Sequence, residues 1–237
     1  DAKMKEQVMD TKRRRIVSNT YVKFTADTFE KVRNYRIDKK NSNFITYRTS
    51  GDGNCGFFAV IQGLIESYCV MGKNRSHIHL KKFMKSIQHH KPIQSAIQNK
   101  HNNYIQFARP FVNALRLTLH DYFQDKAAQE KTIDYSNEIN ALIGGITEDE
   151  RTLIDSQFWM TETILTACAN YFDVPFLVYV PPNQYVNYNL IMPIGCDIEN
   201  CQKHIVFMKT NGGHFEYMSH RLQNYDKHIN LALDAMK

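Results

Sequence analysis

Apolar positions along the chain recur with two periods, and the changes between them mark the elements. Phe57, Phe58, Val60, Ile61, Leu64 and Ile65 fall at helical spacing, which predicts a buried amphipathic helix beginning at or next to Cys55. Leu80, Phe83, Met84 and Ile87 form one further stripe, and Phe107, Phe111, Leu115, Leu119 and Tyr122 another. These predict helices over 77–90 and 104–124, punctuated by Pro92 and Pro110. Gly144-Gly145 closes another helix, and Thr147-Glu148-Asp149-Glu150 has the form of an N-cap and acidic first turn of the next. Trp159, Met160, Ile164, Ala167, Cys168 and Tyr171 then predict a buried helical stripe.

Strand signals are fewer. Phe44-Ile45-Thr46-Tyr47 reads as a brief extended segment, and residues 174–180 as a short apolar strand stopped by Pro181-Pro182. The apolar run Ile205-Val206-Phe207-Met208 leads into Asn211-Gly212-Gly213, a hairpin signal, with His214 opening the return strand. Residues 183–203, rich in Asn, Tyr and Gln, read as a long connection, and 220–237 as a final short helix. The expected fold is α/β (or α+β): a small twisted sheet from strands near 44–48, 174–180, 204–209 and 214–219. Helices are expected on both faces, with an enlarged helical region over 77–157. Without repeats or a low-complexity linker, residues 1–237 read as one domain carrying an N-terminal arm at 1–43, where Phe24, Phe29, Val32 and Tyr35 suggest a short helix.

Composition narrows the class. The 237 residues are 43% hydrophobic, and no apolar run approaches the ~20 residues of a membrane span. The basic run Lys12-Arg13-Arg14-Arg15 has no accompanying aromatic pattern and the net charge is a moderate +6, so it reads as a solvated arm and no nucleic-acid partner is expected. Five scattered cysteines, an odd number, fit a reducing cytoplasm better than a disulfide scaffold. Cys69 and Cys168 fall in apolar stripes and read as buried and inert. His77 and His79 would diverge on a helix, and Cys196, Cys201 and His204 lack a fourth ligand, so neither a metal nor another cofactor is expected.

The chemistry concentrates at Thr49-Ser50-Gly51-Asp52-Gly53-Asn54-Cys55-Gly56-Phe57-Phe58. Three glycines around Cys55 permit a tight turn with positive φ. A thiol at a helix N-terminus meets unpaired N–H groups and the positive end of the macrodipole, both of which favour the nucleophilic thiolate. The plain alternative is a buried cysteine at a helix start behind an Asp-Gly turn. The second half of the signal is His214, which strand alternation places on the same side as Glu216, with Phe215 and Tyr217 on the other. A carboxylate beside an imidazole can orient the ring and stabilise its charged form. Cysteine, histidine and carboxylate are the parts of a thiol hydrolase.

Asp52-Gly53-Asn54-Cys55 with Phe57 resembles the nucleophile motif of the ovarian-tumour (OTU) cysteine proteases, which remove ubiquitin. Gly213-His214-Phe215-Glu216 resembles that family's histidine motif, with Phe215 in place of its usual tyrosine. Trp159, Glu162 and Ala167 ahead of Val174-Pro175-Phe176-Leu177-Val178-Tyr179 resemble its tryptophan-led helix and following strand, with Phe158-Trp159 replacing a Thr-Trp pair. The resemblance spans 44–220 and implies a papain-like fold with Cys55 as nucleophile, His214 as base and Glu216 as its orienting partner, Asp52 being the second candidate for a polar catalytic role. Backbone N–H groups of Gly53, Asn54 and Cys55 are the candidate oxyanion hole. It also implies hydrolysis of the isopeptide bond after the ubiquitin C-terminal glycine, by a monomer whose partners are ubiquitin or polyubiquitin chains. The alternatives are a catalytically silent ubiquitin-binding module and a thiol protease for a ubiquitin-like modifier. The Asn-, Ile- and Lys-rich composition and long helical region suit a bacterial effector working in a host cytosol. Residues 77–157 are expected to form a helical arm receiving the distal ubiquitin, or a lobe that stabilises the core.

Overall fold

The computed structural model of the protein describes residues 45–47, 49, 51–88, 109–149, 152–179, 188–196, 203–211 and 213–219. Its axis is helix α1 (Cys55–Arg75), apolar nearly all round because it lies between a sheet and a layer of helices. Phe57, Phe58, Val60, Ile61 and Leu64 are all buried. At Gly63 the helix meets the sheet so closely that a Cβ would fall 2.1 Å from the Val206 side chain. Gly72, at φ +75, interrupts the helix near its end.

Helices α2 (Ile78–Gln88), α3 (Arg109–Gln129) and α4 (Ser136–Gly144) follow, then a 3-10 turn at Ser156–Phe158 and α5 (Glu162–Phe172). The predicted stripes are their inner faces: Leu80, Phe83, Met84 and Ile87 of α2 join Phe111, Leu115 and Leu119 of α3 in one apolar cluster with α1 and α5. The helices of the expected arm are thus built into the core. Pro110 lies in the first turn of α3, where a missing N–H leaves no bond unmade. Thr161 caps α5, its hydroxyl accepting the Ile164 N–H at 3.2 Å.

The sheet has five strands in the order β1 (Ile45–Tyr47), β5 (His214–Ser219), β4 (Val206–Asn211), β2 (Phe176–Tyr179) and β3 (Tyr188–Ile191). Only β2 and β4 run parallel, pairing from Phe176↔Val206 to Tyr179↔Lys209. The architecture is mixed α and β, as the residue pattern predicts, and the four expected strands are present. One face of the sheet, with Phe176, Val178, Ile191, Val206, Met208 and Tyr217, belongs to the helical cluster. Leu177, Leu190, Phe207 and Met218, on the other face, are buried but stand outside that cluster. The expected N-terminal arm and C-terminal helix, Pro92 and the Cys69 side chain lie outside the described residues.

Three expectations are corrected. β3 falls in the stretch read as connection, pairing antiparallel with β2. Thr147 begins no helix: its hydroxyl accepts the Asp149 N–H at 3.2 Å and its carbonyl accepts from Asn113 Nδ2 at 2.9 Å, which closes a turn. Trp159 precedes α5 and is 38% exposed instead of lying in its buried stripe. Among the described residues no helix is long and apolar enough to cross a membrane.

Candidate functional site

Cys55 opens α1 at the mouth of a loop that five side chains hold in place. Gly53 takes φ +93, and Asp52 Oδ1 accepts the Asn54 N–H at 2.9 Å, so the loop turns sharply into the helix. The other Asp52 oxygen pairs with buried Arg109 at 2.9 Å, and the Asp52 carbonyl accepts the Ile154 N–H at 2.7 Å. Both carboxylate oxygens are therefore spent on the loop, and neither contacts His214. Asp52 holds the backbone ahead of Cys55.

Asn54 occupies the N-cap position, yet its side chain leaves its own helix uncapped. Its Oδ1 accepts instead from Arg116 at 3.2 Å through Nε and 2.8 Å through Nη2. Arg116 is wholly buried, donates also to the carbonyls of Ala141 (2.9 Å) and Phe158 (2.8 Å), and lies 3.8 Å from the centre of the Phe57 ring. One guanidinium thus ties the start of α1 to the end of α4 and the segment before Trp159. Burial, with the nearby Arg109 charge and against that of Asp52, lowers its pKa to about 9, so it remains cationic at neutral pH.

The hairpin β4–β5 brings the second half of the site, with Asn211 opposite His214 across the two-residue turn. The Cys55 sulfur accepts the Phe215 N–H at 3.4 Å, and the thiol faces the Gly213 carbonyl at 3.8 Å. Cys55 therefore touches the backbone on either side of His214. Trp159 spans the two loops. Its indole N–H donates to the Ile154 carbonyl at 2.9 Å, a Cβ on Gly53 would fall 2.6 Å from that nitrogen, and one on Gly213 (φ +90) would lie 3.7 Å from the ring.

His214 Nε2 lies 3.4 Å from Thr49 Oγ1 and 4.0 Å from Glu216 Oε1. The buried Thr49 hydroxyl donates its single proton to the Phe215 carbonyl, so in the contact with His214 the ring must be the donor. Nε2 then carries the proton and Nδ1 is the basic nitrogen. Glu216, as alternation predicts, shares the side of His214, and its second oxygen is 4.0 Å from Lys209 on the facing strand. The thiol departs from expectation. Burial pushes the Cys55 pKa up, the N–H groups of Phe215 and Gly56 pull it down, and the Asp52 charge raises it. Burial wins, so the resting sulfur is a thiol that needs a base.

The structure thus brings together Cys55, His214 and Glu216, and adds Thr49, Arg109 and Arg116, which the residue pattern did not single out. Arg116 had a signal, a charge set among Phe111, Leu115 and Leu119; Thr49 had none. Of the other flagged residues, His204 pairs with buried Glu66 at 2.7 Å, Cys168 is buried, and Cys201 lies outside the described residues. Among the described residues, no three His, Cys, Asp or Glu side chains are grouped as a metal ion requires. Comparison of the chain with protein-family models and with curated proteins returns no match.

Proposed function

We propose that the protein is a thiol hydrolase of the OTU class that cleaves the isopeptide bond following the C-terminal glycine of ubiquitin. The observation carrying this reading is the Cys55 sulfur held between the Gly213 carbonyl and the Phe215 N–H, the two neighbours of His214. His214 Nδ1 takes the thiol proton as the sulfur attacks the carbonyl carbon. The tetrahedral oxyanion is met by the N–H groups of Gly53 and Cys55, that of Asn54 being already engaged by Asp52. Collapse expels the lysine amine, which takes its proton from the His214 imidazolium, and leaves a thioester. Water, deprotonated by His214, hydrolyses the thioester and restores the thiol. Thr49 and Glu216 orient the imidazole and stabilise its charged form.

The substrate class rests on the resemblance of the two motifs to the OTU family, whose substrate, ubiquitin, ends in Gly-Gly; around Cys55, Gly53 and Gly213 both lie against Trp159. The test is cleavage of di-ubiquitin together with a ubiquitin probe bearing a C-terminal electrophile. The expected results are turnover, an adduct on Cys55, and loss of both in Cys55→Ala. Turnover surviving in Cys55→Ala overturns the reading; binding without an adduct makes the protein a ubiquitin-binding module.

A further inference from the structure

At the other end of α3 from the nucleophile loop, the start of α2, the second half of α3 and the end of α5 enclose a cleft of about 390 Å³. With a rise of about 1.5 Å per residue, Asp125 on its wall is roughly 24 Å along the helix from Arg109, the partner of Asp52. The cleft is separate from the candidate site, and its function does not depend on the hydrolase reading.

One wall is a run of rings. His77 and His79 lie 5.0 Å apart, His79 stacks on Tyr171 at 4.3 Å and 17°, and Tyr171 meets Tyr122 edge-on at 5.5 Å. Both imidazoles are neutral at physiological pH. His77 Nδ1 accepts the His79 N–H at 3.3 Å, and burial holds both rings below the usual histidine range, helped by Lys203 and Lys81 at His77 and by His77 and Lys82 at His79. The rings themselves therefore present π surface that carries no charge of its own.

On either side of Tyr122 in the sequence, the exposed Asp121 and Asp125 stand one turn apart on α3 and also line the cleft. Among the described residues, the carboxylate of Asp121 meets only the adjoining His120, at 3.2 Å, and no hydrogen bond or ion pair occupies Asp125. Of the cations around the cleft, Lys126 pairs with Glu130 at 3.1 Å and Lys203 with Asp173, while Lys81 and Lys82 act on the histidine rings from α2. The field of both carboxylates reaches the rings: burial raises the Tyr171 phenol, and Asp121 and then Asp125 raise it further.

A ligand for this cleft must be cationic, flat enough to lie on rings, and able to donate to two carboxylates at once. We propose that the cleft binds the guanidinium of an arginine, laid on the ring wall and forked between Asp121 and Asp125. A lysine ammonium satisfies the charge but lacks the plane, and an anion meets two carboxylates. The chain's net charge of +6 repels basic peptides in general, so any attraction of one to this protein is local.

Calorimetric titration of the full chain tests the proposal with four probes: a glycine-flanked arginine hexapeptide, its citrulline and lysine counterparts, and free L-arginine. The arginine peptide should bind roughly tenfold more tightly than the citrulline peptide, which keeps the plane and loses the charge. It should also exceed the lysine peptide. In the Asp121→Asn/Asp125→Asn double variant the preference for arginine should vanish while the thermal midpoint and Cys55 alkylation stay as in the wild type. Free arginine binding as tightly as the peptide identifies a small guanidinium ligand; a tighter peptide identifies a polypeptide partner. Equal affinity for arginine and citrulline peptides, undiminished binding by the double variant, or no arginine binding at all overturns the proposal.

Discussion

Thr49→Val isolates the contact that sets the His214 tautomer. Valine keeps the volume and branching of threonine, so the buried site stays filled, and two interactions are removed: the one to the Phe215 carbonyl and the 3.4 Å contact with His214 Nε2. Leaving a buried carbonyl unmet costs about 1–3 kcal/mol of stability, and losing a neutral hydrogen bond to the ring about 0.5–1.5 kcal/mol of orientation. The second figure corresponds to a drop of roughly 2- to 13-fold in kcat. KM for a ubiquitin C-terminal amide should hardly move, because Thr49 is buried and its contacts are with His214 and the Phe215 carbonyl. Thr49→Ser, which keeps the hydroxyl, should recover most of the loss. In long-range nitrogen–proton NMR spectra assigned with His214→Gln, the wild type should carry its ring proton on Nε2, and Thr49→Val should populate both tautomers. Wild-type kcat together with an unchanged tautomer in Thr49→Val would refute the reasoning and leave Glu216, at 4.0 Å, as the sole orienting group.

Arg116→Met strips donors from Asn54 Oδ1 and from the Ala141 and Phe158 carbonyls, so urea denaturation should show a loss of at least about 3 kcal/mol. Gly53→Ala forces a Cβ to within 2.6 Å of Ile154 O and the Trp159 nitrogen at a φ of +93, so stability should fall by about 1–3 kcal/mol and the emission of Trp159, the sole tryptophan, should change. Alkylation of Cys55 by iodoacetamide should climb with pH into the alkaline range, since burial keeps the thiol protonated; a plateau already reached at acid pH would mean a preformed thiolate–imidazolium pair. Burial raises Cys55 and Cys168 above the ordinary 9.0, so their contribution to stability is complete below that value and is lost as pH climbs towards their folded-state pKa values. Denaturation midpoints measured at rising alkaline pH should fall, and fall less in Cys168→Ala.

What the residue pattern disclosed is what short-range physics controls. The stripe after Cys55 and the Asn-Gly-Gly turn before His214 each announce their element within a few residues, and α1 and the β4–β5 hairpin stand where they were expected. β3 was hidden because Asn189 interrupts a four-residue segment set in an Asn-rich stretch, and pairing with β2 is what fixes it. Thr147-Glu148-Asp149 imitates a helix start, and a bond from Asn113 on another helix turns it aside. The site divides in the same way. Cys55 and His214 could be picked out by their immediate neighbours, whereas the partners of Asp52 and Asn54 lie 57 and 62 residues away and the contact of Thr49 with His214 spans 165. No local pattern encodes separations of that size.

The span between the sulfur and its partners also orders the birth of the site. Cys55 emerges early in synthesis, but Gly213 and Phe215 follow 158 and 160 residues later, and strand β1 likewise waits for β5. At ~5–20 residues per second, translation leaves the thiol without its histidine for roughly 8–30 s. Throughout that interval α1 and the helices after it can pack together, while β1 and the loop before Cys55 wait for the β4–β5 hairpin. On the proposed mechanism, a nascent chain holds no hydrolase activity until the hairpin that carries His214 completes the sheet.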